Sequence, residues 1–468
     1  MKRTYLSSAK ACVLAMLWAL ACLAIGPAAA DDNVPLPRND AFYTPPPGYE
    51  ALPNGSALRN RRINAQYLVG LLSTDVLSVI GDKLGDKVAL LKKLKIDAYQ
   101  VLYKSTDGHD QPTAQVVTVL VPQGPYLGAG PRPLVSYANA IDGVSDRCWP
   151  SYALRAGLQL QNVGSLPTYD TGETLVALLA GYAVSYSDYE GPHSQWAAGP
   201  QAGHAVLDSI RAVLHYAPTG LSGHSQVGLL GYSGGGGAVG WAAALHASYA
   251  PELRIVGAGI GAPLNADIGW TFNYVDSKLT SGILALGVIG LDRAYPEANV
   301  RAYLNAEGLA LLDQDADTCF LDGTLPHLGA GRFENYTIDP AVRFTDSAPG
   351  RFFVEANSLV KQPYVPDMPI LIYGDVFDDL VGIKPANDLA VKYCRAGAQV
   401  EVMHTFTPVP TPGLALVHIS GEVEGTLPSL AYLVARFNGQ APRNDCGAAA
   451  MSVWSSSVPL PYYPFITQ

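Results

Sequence analysis

Residues 229–237 read LLGYSGGGG, a run in which one serine stands among glycines directly after an apolar stretch. Within this run, residues 231–235 fit the pattern G-x-S-x-G, and a stretch rich in small residues follows at 238–247. A buried strand that turns sharply into a helix needs glycines at the turn, because larger side chains would strike the neighbouring elements. The pattern therefore predicts Ser233 as a nucleophile with an exposed hydroxyl at the edge of a sheet. The alternative is a Gly/Ser turn without chemistry.

The predicted helix after Ser233 adds an electrostatic reason for this prediction. Its N-terminus carries partial positive charge, and the amide of Gly234 can donate a hydrogen bond to a developing oxyanion. Both features suit attack of a serine hydroxyl on a carbonyl carbon.

Strand-like and helix-like segments alternate along most of the chain, which predicts an α/β fold with a mostly parallel sheet and helices on both faces. An antiparallel pair is predicted to open this sheet at 95–106 and 114–123. Later strands are predicted at 131–140, 182–192, 226–233, 254–263, 368–375 and 398–406, and helices at 173–182, 202–218, 238–253 and 427–439. Residues 264–365 contain no convincing buried strand, so we expect a large insertion that caps the C-terminal edge of the sheet.

A serine nucleophile needs a histidine base, which an acid orients, and in this kind of fold the chain order is Ser, Asp/Glu, His. Of the histidines well beyond Ser233, His327 falls in the insertion and His404 lies inside a predicted strand. His418 lies in a predicted loop before the last helix and is the expected base. Three aspartates follow the strand at 368–375, and spacing alone does not choose among them: Asp375, Asp378 and Asp379.

Composition excludes several classes of protein. Of the 468 residues, 49% are hydrophobic and 15% are charged, which is typical of a packed globular chain. The formal net charge is -10 and no basic run of five or more residues occurs, so nucleic acid is not an expected partner. No His/Cys cluster has metal-ligand spacing, and we expect neither a metal nor another cofactor.

The first 30 residues combine a basic start, a short apolar stretch and small residues, which predicts a secretory signal peptide cleaved after Ala30. The alternative is an uncleaved anchor helix. No other stretch is apolar enough to span a membrane, so the protein is expected to be secreted, to the periplasm or outside the cell. Four cysteines remain after cleavage, which suggests two disulfides with the pairing left open: Cys148, Cys319, Cys394 and Cys446.

Four stretches together resemble the secretory lipases typified by Candida antarctica lipase A. They are GYSGG around Ser233, YGDVFDDLVG with KYCRAGA (373–382 and 392–398), HISGEVEGTLPSLAYLVARFNG (418–439) and YANAIDGVSDRCWPSYAL (137–154). The resemblance implies an α/β-hydrolase fold and a triad of Ser233, Asp378 and His418. It also implies Asp142 as a second oxyanion residue beside Gly234, and a disulfide between Cys148 and Cys319.

These observations predict a signal peptide (1–30), an N-terminal arm (31–60), a hydrolase core (61–263 and 366–446), a cap (264–365) and a C-terminal tail (447–468). The expected activity is hydrolysis of carboxylic esters, as in a triacylglycerol lipase or carboxylesterase, acting on an ester or lipid substrate at a lipid–water interface. The alternatives are a short-chain or acetyl esterase, a peptidase with the same triad, and an inactive secreted binding protein. The apolar stretch 281–291 either faces lipid or packs the cap onto the core.

Overall fold

The computed structural model describes residues 34–64, 94–157, 174–276, 278–407 and 414–447. The predicted signal peptide and the tail from residue 448 onward lie outside these ranges. The proposed arm, core and cap fall partly within them, since residues 31–33, 65–93, 158–173, 277 and 408–413 also lie outside the described ranges.

The described residues build one nine-stranded sheet, which confirms the predicted α/β class. Its spatial order is β1-β2-β3-β5-β4-β6-β7-β8-β9. The pairs β1–β2, β2–β3 and β3–β5 are antiparallel. All the other neighbouring strands, from β5 through β4 and β6 to β9, run parallel. The strands are β1 (Ala57–Ile63), β2 (Ile96–Thr106), β3 (Pro112–Pro122), β4 (Leu134–Ala138), β5 (Ala183–Ser187), β6 (Val227–Tyr232), β7 (Ile255–Gly261), β8 (Ile370–Asp375) and β9 (Val400–Thr405).

Helices cover both faces of this sheet. The α-helices with defined bounds are α1 (Pro150–Ala156), α2 (Gly199–His215), α3 (Gly234–Tyr249), α4 (Ile268–Val275), α5 (Ile283–Ala294), α6 (Ala306–Asp315), α7 (Phe320–Thr324), α8 (Ala348–Asn357), α9 (Ile383–Arg395) and α10 (Leu416–Phe437). One face packs against α2, α3 and α9. The other packs against α10 and helical residues 174–179. Apolar strands buried on both sides explain why β4 to β8 read as nearly continuous hydrophobic runs.

The last helix begins earlier than the sequence predicts. It starts at Leu416, so His418 lies in its first turn. The prediction that His418 lies in a loop is therefore wrong. Gly421, Gly425 and Pro428 make this segment a poor helix by propensity. Packing requires the glycines, because a Cβ at Gly425 would lie 2.5 Å from the Tyr373 ring and one at Gly421 would lie 2.7 Å from the Tyr232 hydroxyl.

The edge strand β1 is a second difference, since the first predicted strand was the one at 95–106. Its sequence, ALRNRRI, has three arginines and no clear alternation. Arg61 is held by a hydrogen bond to Gln100, an ion pair with Asp40 and a position over the Phe42 ring. Local contacts of a charged residue therefore stabilise a strand that hydrophobic periodicity does not reveal.

The predicted insertion lies between β7 and β8, which are neighbours in the sheet. Its described residues form α4 to α8 and short 3₁₀ turns but no strand. Residues 281–291 are all buried, so this stretch packs the insertion onto the core and does not face lipid.

Two disulfides join distant parts of the chain. Cys148, just before α1, bonds to Cys319 of the insertion, as the family resemblance implies. Cys394 at the end of α9 bonds to Cys446.

Candidate active site

Ser233 lies at the turn between β6 and α3, where the sequence predicts it. Its backbone has φ 55° and ψ −120°, a conformation that residues other than glycine rarely adopt. Its amide donates to the Gly261 carbonyl at 3.0 Å, and its carbonyl accepts from the Gly237 amide at 2.9 Å. Hydrogen bonds to both sides of the turn thus maintain the strained conformation.

The four glycines after Ser233 have a steric cause. A Cβ at Gly235 would lie 1.9 Å from the carbonyl oxygen of Ala138, at the end of β4. A Cβ at Gly236 would lie 2.0 Å from the carbonyl oxygen of Gly261, at the end of β7. Helix α3 therefore begins pressed between the ends of the two strands that flank β6, and only glycine fits there.

The strand order places this turn at a characteristic position. From β4 the chain continues to β5 on one side, and the next strand, β6, lies on the other side of β4. Open α/β sheets bind ligands in the crevice beyond the carboxyl ends of strands at such a reversal. Ser233 follows β6 and Asp142 follows β4, so both lie at this crevice.

The imidazole of His418 meets one of the three candidate aspartates. Its Nδ1 lies 2.7 Å from Oδ2 of Asp378. The other carboxylate oxygen, Oδ1, accepts from the amides of Leu380 at 2.9 Å and Val381 at 2.8 Å, which fixes the carboxylate. His418 Nε2 is buried and has no hydrogen-bond partner among the described residues.

The other two aspartates support the loop. Asp375 accepts from the Phe377 amide at 2.8 Å and from the Thr405 hydroxyl at 3.1 Å. Asp379 accepts from the backbone amide of His418 at 3.1 Å, so it positions the first turn of α10. Spacing could not distinguish these three residues because the distinction depends on where α10 begins.

Burial and charge act against each other on the His418–Asp378 pair. Burial lowers the pKa of His418, but the charge of Asp378 and the hydrogen bond to it outweigh burial and leave that pKa raised. Burial also raises the pKa of Asp378, but the charge of His418 and hydrogen bonds from His418 and two backbone amides hold it below its ordinary value. The arrangement therefore favours an ionised Asp378 and stabilises the imidazolium form of His418.

Asp142 lies in the turn after β4 with a positive φ of 45°. Trp196 donates from Nε1 to its Oδ1 at 2.9 Å, and the Ser233 hydroxyl also donates to this carboxylate. A Cβ at Gly234 would lie 2.1 Å from Oδ1, so the carboxylate lies directly against the start of α3. Burial raises the pKa of Asp142 to about 6, although His418, Trp196 and Ser233 oppose that rise.

The site is closed in this structure. Ser233 is only 5% exposed and His418 only 4%, so the expectation of an exposed hydroxyl is wrong. The cause is the cover above the sheet edge. Trp196 packs beneath the insertion, where a Cβ at Gly290 of α5 would lie 2.3 Å from the Trp196 carbonyl oxygen.

Several residues of the site carried no recognisable sequence signal. Trp196 reaches Asp142 from a loop after β5, and Tyr274 of the insertion donates to the Asp378 carbonyl at 2.7 Å. Glu190 is buried near Asp142, and burial, reinforced by the charge of Asp142, raises its pKa well above the ordinary range. Only the folded chain brings these segments together.

The remaining histidine candidates lie elsewhere. His404 is in β9, where its Nε2 lies 2.9 Å from Oδ1 of Asn387, and burial lowers its pKa to about 4. His327 lies in the insertion, with Nε2 2.9 Å from a carboxylate oxygen of Asp315.

Within the described ranges, no group of three or more His, Cys, Asp or Glu side chains could hold a metal ion. No helix in these same ranges is long and apolar enough to cross a membrane.

Comparison with known proteins agrees with this architecture. A family model described as secretory lipase matches residues 156–445. A probable inactive lipase of Mycobacterium tuberculosis is 36% identical over 368 residues, which is 78% of this chain and 76% of that protein. A secreted triacylglycerol lipase of Malassezia furfur is 29% identical over 415 residues, 87% of this chain and 78% of that protein.

The crystal structure of Candida antarctica lipase A superposes with a TM-score of 0.73 at 28% identity and covers 89% of each chain. This match, together with the nine-stranded sheet, confirms the α/β-hydrolase fold. With an ester-hydrolase fold and a family match over more than half its length, the chain belongs to the secretory lipase family.

Proposed function

We propose that this protein hydrolyses carboxylic esters through an acyl-enzyme formed on Ser233. The observation that carries the proposal is the buried His418–Asp378 pair, with Nδ1 and Oδ2 2.7 Å apart, at the same sheet edge as a serine on a strained strand-to-helix turn. A serine, a base and an orienting acid in this chain order are what acyl transfer in this fold requires.

In the proposed mechanism, Ser233 Oγ attacks the ester carbonyl while His418 Nε2 accepts its proton. His418 then gives that proton to the leaving alcohol, and water repeats the cycle on the acyl-enzyme. The hydrogen bond that Asp378 accepts from His418 Nδ1 favours the tautomer that leaves Nε2 unprotonated before attack. In the closed site the Ser233 hydroxyl donates to Asp142, so the proposed mechanism requires this hydroxyl to turn toward Nε2 when substrate enters.

We assign oxyanion stabilisation to the amide of Gly234 and to Asp142. A neutral Asp142 can donate a hydrogen bond, and its raised pKa of about 6 supports a neutral form below that pH. Losing one oxyanion donor costs about 3 kcal/mol of transition-state stabilisation.

We assign lipid esters such as triacylglycerols as the substrate class. We propose that the protein acts on them at a lipid–water interface. The support is membership of the secretory lipase family and similarity to the secreted triacylglycerol lipase of Malassezia furfur. We also propose that residues 264–365 act as a cap, that residues 1–30 are a signal peptide, and that the protein works outside the cytoplasm, where its two disulfides are stable.

One rival function is an inactive binding protein, since a mycobacterial relative is described as a probable inactive lipase. The chain described here retains a serine, an aspartate and a histidine at the proposed positions. It therefore has the groups that acyl transfer needs, and activity measurements separate the two functions.

The test is the initial rate on p-nitrophenyl esters from acetate to palmitate. We expect the highest rates on long chains, a loss of about 10⁶-fold in kcat for Ser233→Ala, and little change for Ser248→Ala, a control on the exposed surface of α3. Cleavage of short esters alone would support a short-chain esterase instead. No cleavage of any ester by the wild-type protein would contradict the proposal and favour the binding protein.

A further inference from the structure

One arginine of the insertion contacts the turn that carries Asp142. Arg293 is the next-to-last residue of α5, and its side chain is half-buried. Its Nη1 donates to the carbonyl oxygen of Val144 at 2.7 Å, two residues beyond Asp142. Its Nη2 donates to the carbonyl oxygen of Ala316 at 2.5 Å, three residues before the disulfide-bonded Cys319. Arg293 therefore joins the insertion to the segment that follows β4.

The same guanidinium reaches the loop that carries Trp196. Nη1 of Arg293 donates to the carbonyl oxygens of His193 at 3.1 Å and Ser194 at 3.4 Å. Trp196, two residues further along this loop, donates to Asp142 at 2.9 Å. One side chain therefore connects the two segments whose contact brings Trp196 and Asp142 together.

Both segments hold backbone conformations that need support. Asp142, Ser194 and Ala197 have φ values of 45°, 47° and 67°, a region that residues other than glycine rarely adopt. Such strain persists only where the surrounding contacts fix the backbone. Arg293 donates two residues beyond Asp142 and directly to the Ser194 carbonyl. Its guanidinium therefore stabilises the strained turn and the strained loop at once.

The acceptors around Arg293 explain why an arginine is needed. Among the described residues, its side chain donates to four backbone carbonyl oxygens. A guanidinium has five donors in a rigid plane and can serve several oxygens at fixed positions, whereas a lysine ammonium does not match this geometry. Without the guanidinium, the four carbonyl dipoles would face one another and lose these hydrogen bonds.

We propose that Arg293 is a positioning residue of the active site, whose guanidinium holds the Asp142 turn against the Trp196 loop so that Asp142 is in place to stabilise the oxyanion. The inference rests on the proposed ester hydrolysis and adds to it a residue that acts through others. It also makes the insertion part of the catalytic geometry, because α5 carries the residue that sets the oxyanion turn.

The experiment compares Arg293→Ala and Arg293→Lys with a matched control, Arg301→Ala. Arg301 lies in the same insertion, is 44% exposed and pairs with the exposed carboxylate of Asp313. The values of kcat and KM are measured on a dissolved p-nitrophenyl ester, for each variant alone and combined with Asp142→Ala. Urea unfolding measures the stability of every chain.

We expect Arg293→Ala to lower kcat roughly 10²-fold with little change in KM, because a displaced Asp142 weakens a contact made in the transition state. Arg293→Lys should recover only part of this loss. Combined with Asp142→Ala, the change should cost no more than about twofold, since both substitutions remove the same contact. The control should match its parent in both backgrounds. Equal losses with and without Asp142, or a loss confined to KM, would overturn the proposal.

A chemical rescue separates positioning from loss of stability. A cavity of about 590 Å³ is lined by Arg293 and by its partners Val144, His193, Ser194 and Ala316, so a dissolved ion can reach the vacated position. Guanidinium chloride at millimolar concentration should restore most of the kcat that Arg293→Ala loses, whereas methylammonium chloride should not. Equal restoration by the two ions, or by neither in a variant of unchanged stability, would contradict the proposal.

Backbone hydrogen exchange tests the role of Arg293 without catalysis. We expect Arg293→Ala to speed exchange in residues 140–146 and 193–198 but not in β4, and Arg301→Ala to speed it in none of them. If no chain cleaves esters, the proposed function fails, while exchange in these two segments still tests Arg293. Unchanged exchange in both segments would overturn the proposal.

Discussion

At Asp142 two requirements meet on one carboxyl group. The group is buried between Trp196 and Gly234, and it also receives the Ser233 hydroxyl. An ionised carboxylate there would repel the oxyanion that forms on the substrate, whereas a neutral acid would donate to it. Protonation of Asp142 therefore links pH to the proposed chemistry.

We expect kcat/KM to decline on the alkaline side of its pH profile, because Asp142, whose pKa burial raises to about 6, has then lost its proton. The groups that face Asp142 are His418, Glu190, Trp196 and Ser233, and protonation of His418, whose pKa is raised, reduces activity at lower pH. Asp142→Asn donates at every pH, so it should lack the alkaline decline. Asp142→Ala should lose roughly 10²–10³-fold throughout. An alkaline decline that persists in the asparagine variant would contradict this role.

Trp196 is expected to act through Asp142. The hydrogen bond from Trp196 to Oδ1 lowers the pKa of Asp142. Trp196→Phe keeps an aromatic ring but removes this donor, so the pKa of Asp142 should rise. The alkaline decline of kcat/KM should therefore move to higher pH. If Trp196 only fills space, activity would fall with no shift of the pH profile.

At the scale of single elements, the start of α3 is fixed by contact with the ends of β4 and β7. The glycine run, which looks like a flexible turn in the sequence, is a rigid junction in the fold. Ser233 is strained because the elements on both sides leave its backbone no other course.

Gly235→Ala should therefore lower the free energy of unfolding by about 1–3 kcal/mol or more, because its Cβ would overlap the Ala138 carbonyl. Gly223→Ala is the matched control, since a Cβ there meets nothing within 4 Å, and its effect should stay within about 0.5 kcal/mol. Urea unfolding monitored by fluorescence measures both. Equal stabilities would show that α3 can move away from β4.

Most strands and helices could be predicted because their buried residues form apolar runs that alternate with turn residues along the sequence. The start of α10 could not, because Gly421 and Gly425 are tolerated in that helix only through contact with Tyr232 and Tyr373. The same contact places His418. Motif and chain order predicted Ser233 and His418, and the family resemblance predicted Asp378. The closed state of the site and the partners Trp196 and Tyr274 depend on tertiary packing.

At the scale of the whole molecule, the two disulfides close loops of different length. Cys148–Cys319 spans 171 residues and joins the segment after Asp142 to the insertion, while Cys394–Cys446 spans 52 residues. Longer loops lose more entropy on closure in the unfolded chain.

Replacing Cys148 and Cys319 by serine should therefore destabilise the protein more than replacing Cys394 and Cys446. The chain-entropy model gives losses of roughly 5 kcal/mol and roughly 4 kcal/mol in the free energy of unfolding. Urea unfolding of the two double variants gives the comparison. A larger loss from Cys394→Ser/Cys446→Ser would show that native packing near that bond outweighs loop length.

Because β7 and β8 pair side by side, the inserted residues leave and rejoin the sheet at adjacent points. The length and sequence of such a segment can change without disturbing the order of the strands. A replacement segment would have to supply its own partner for Cys148 and its own tyrosine for the Asp378 carbonyl. Replacing the inserted residues would therefore leave the strand order intact but would remove the disulfide partner of Cys148 and the donor to the Asp378 carbonyl.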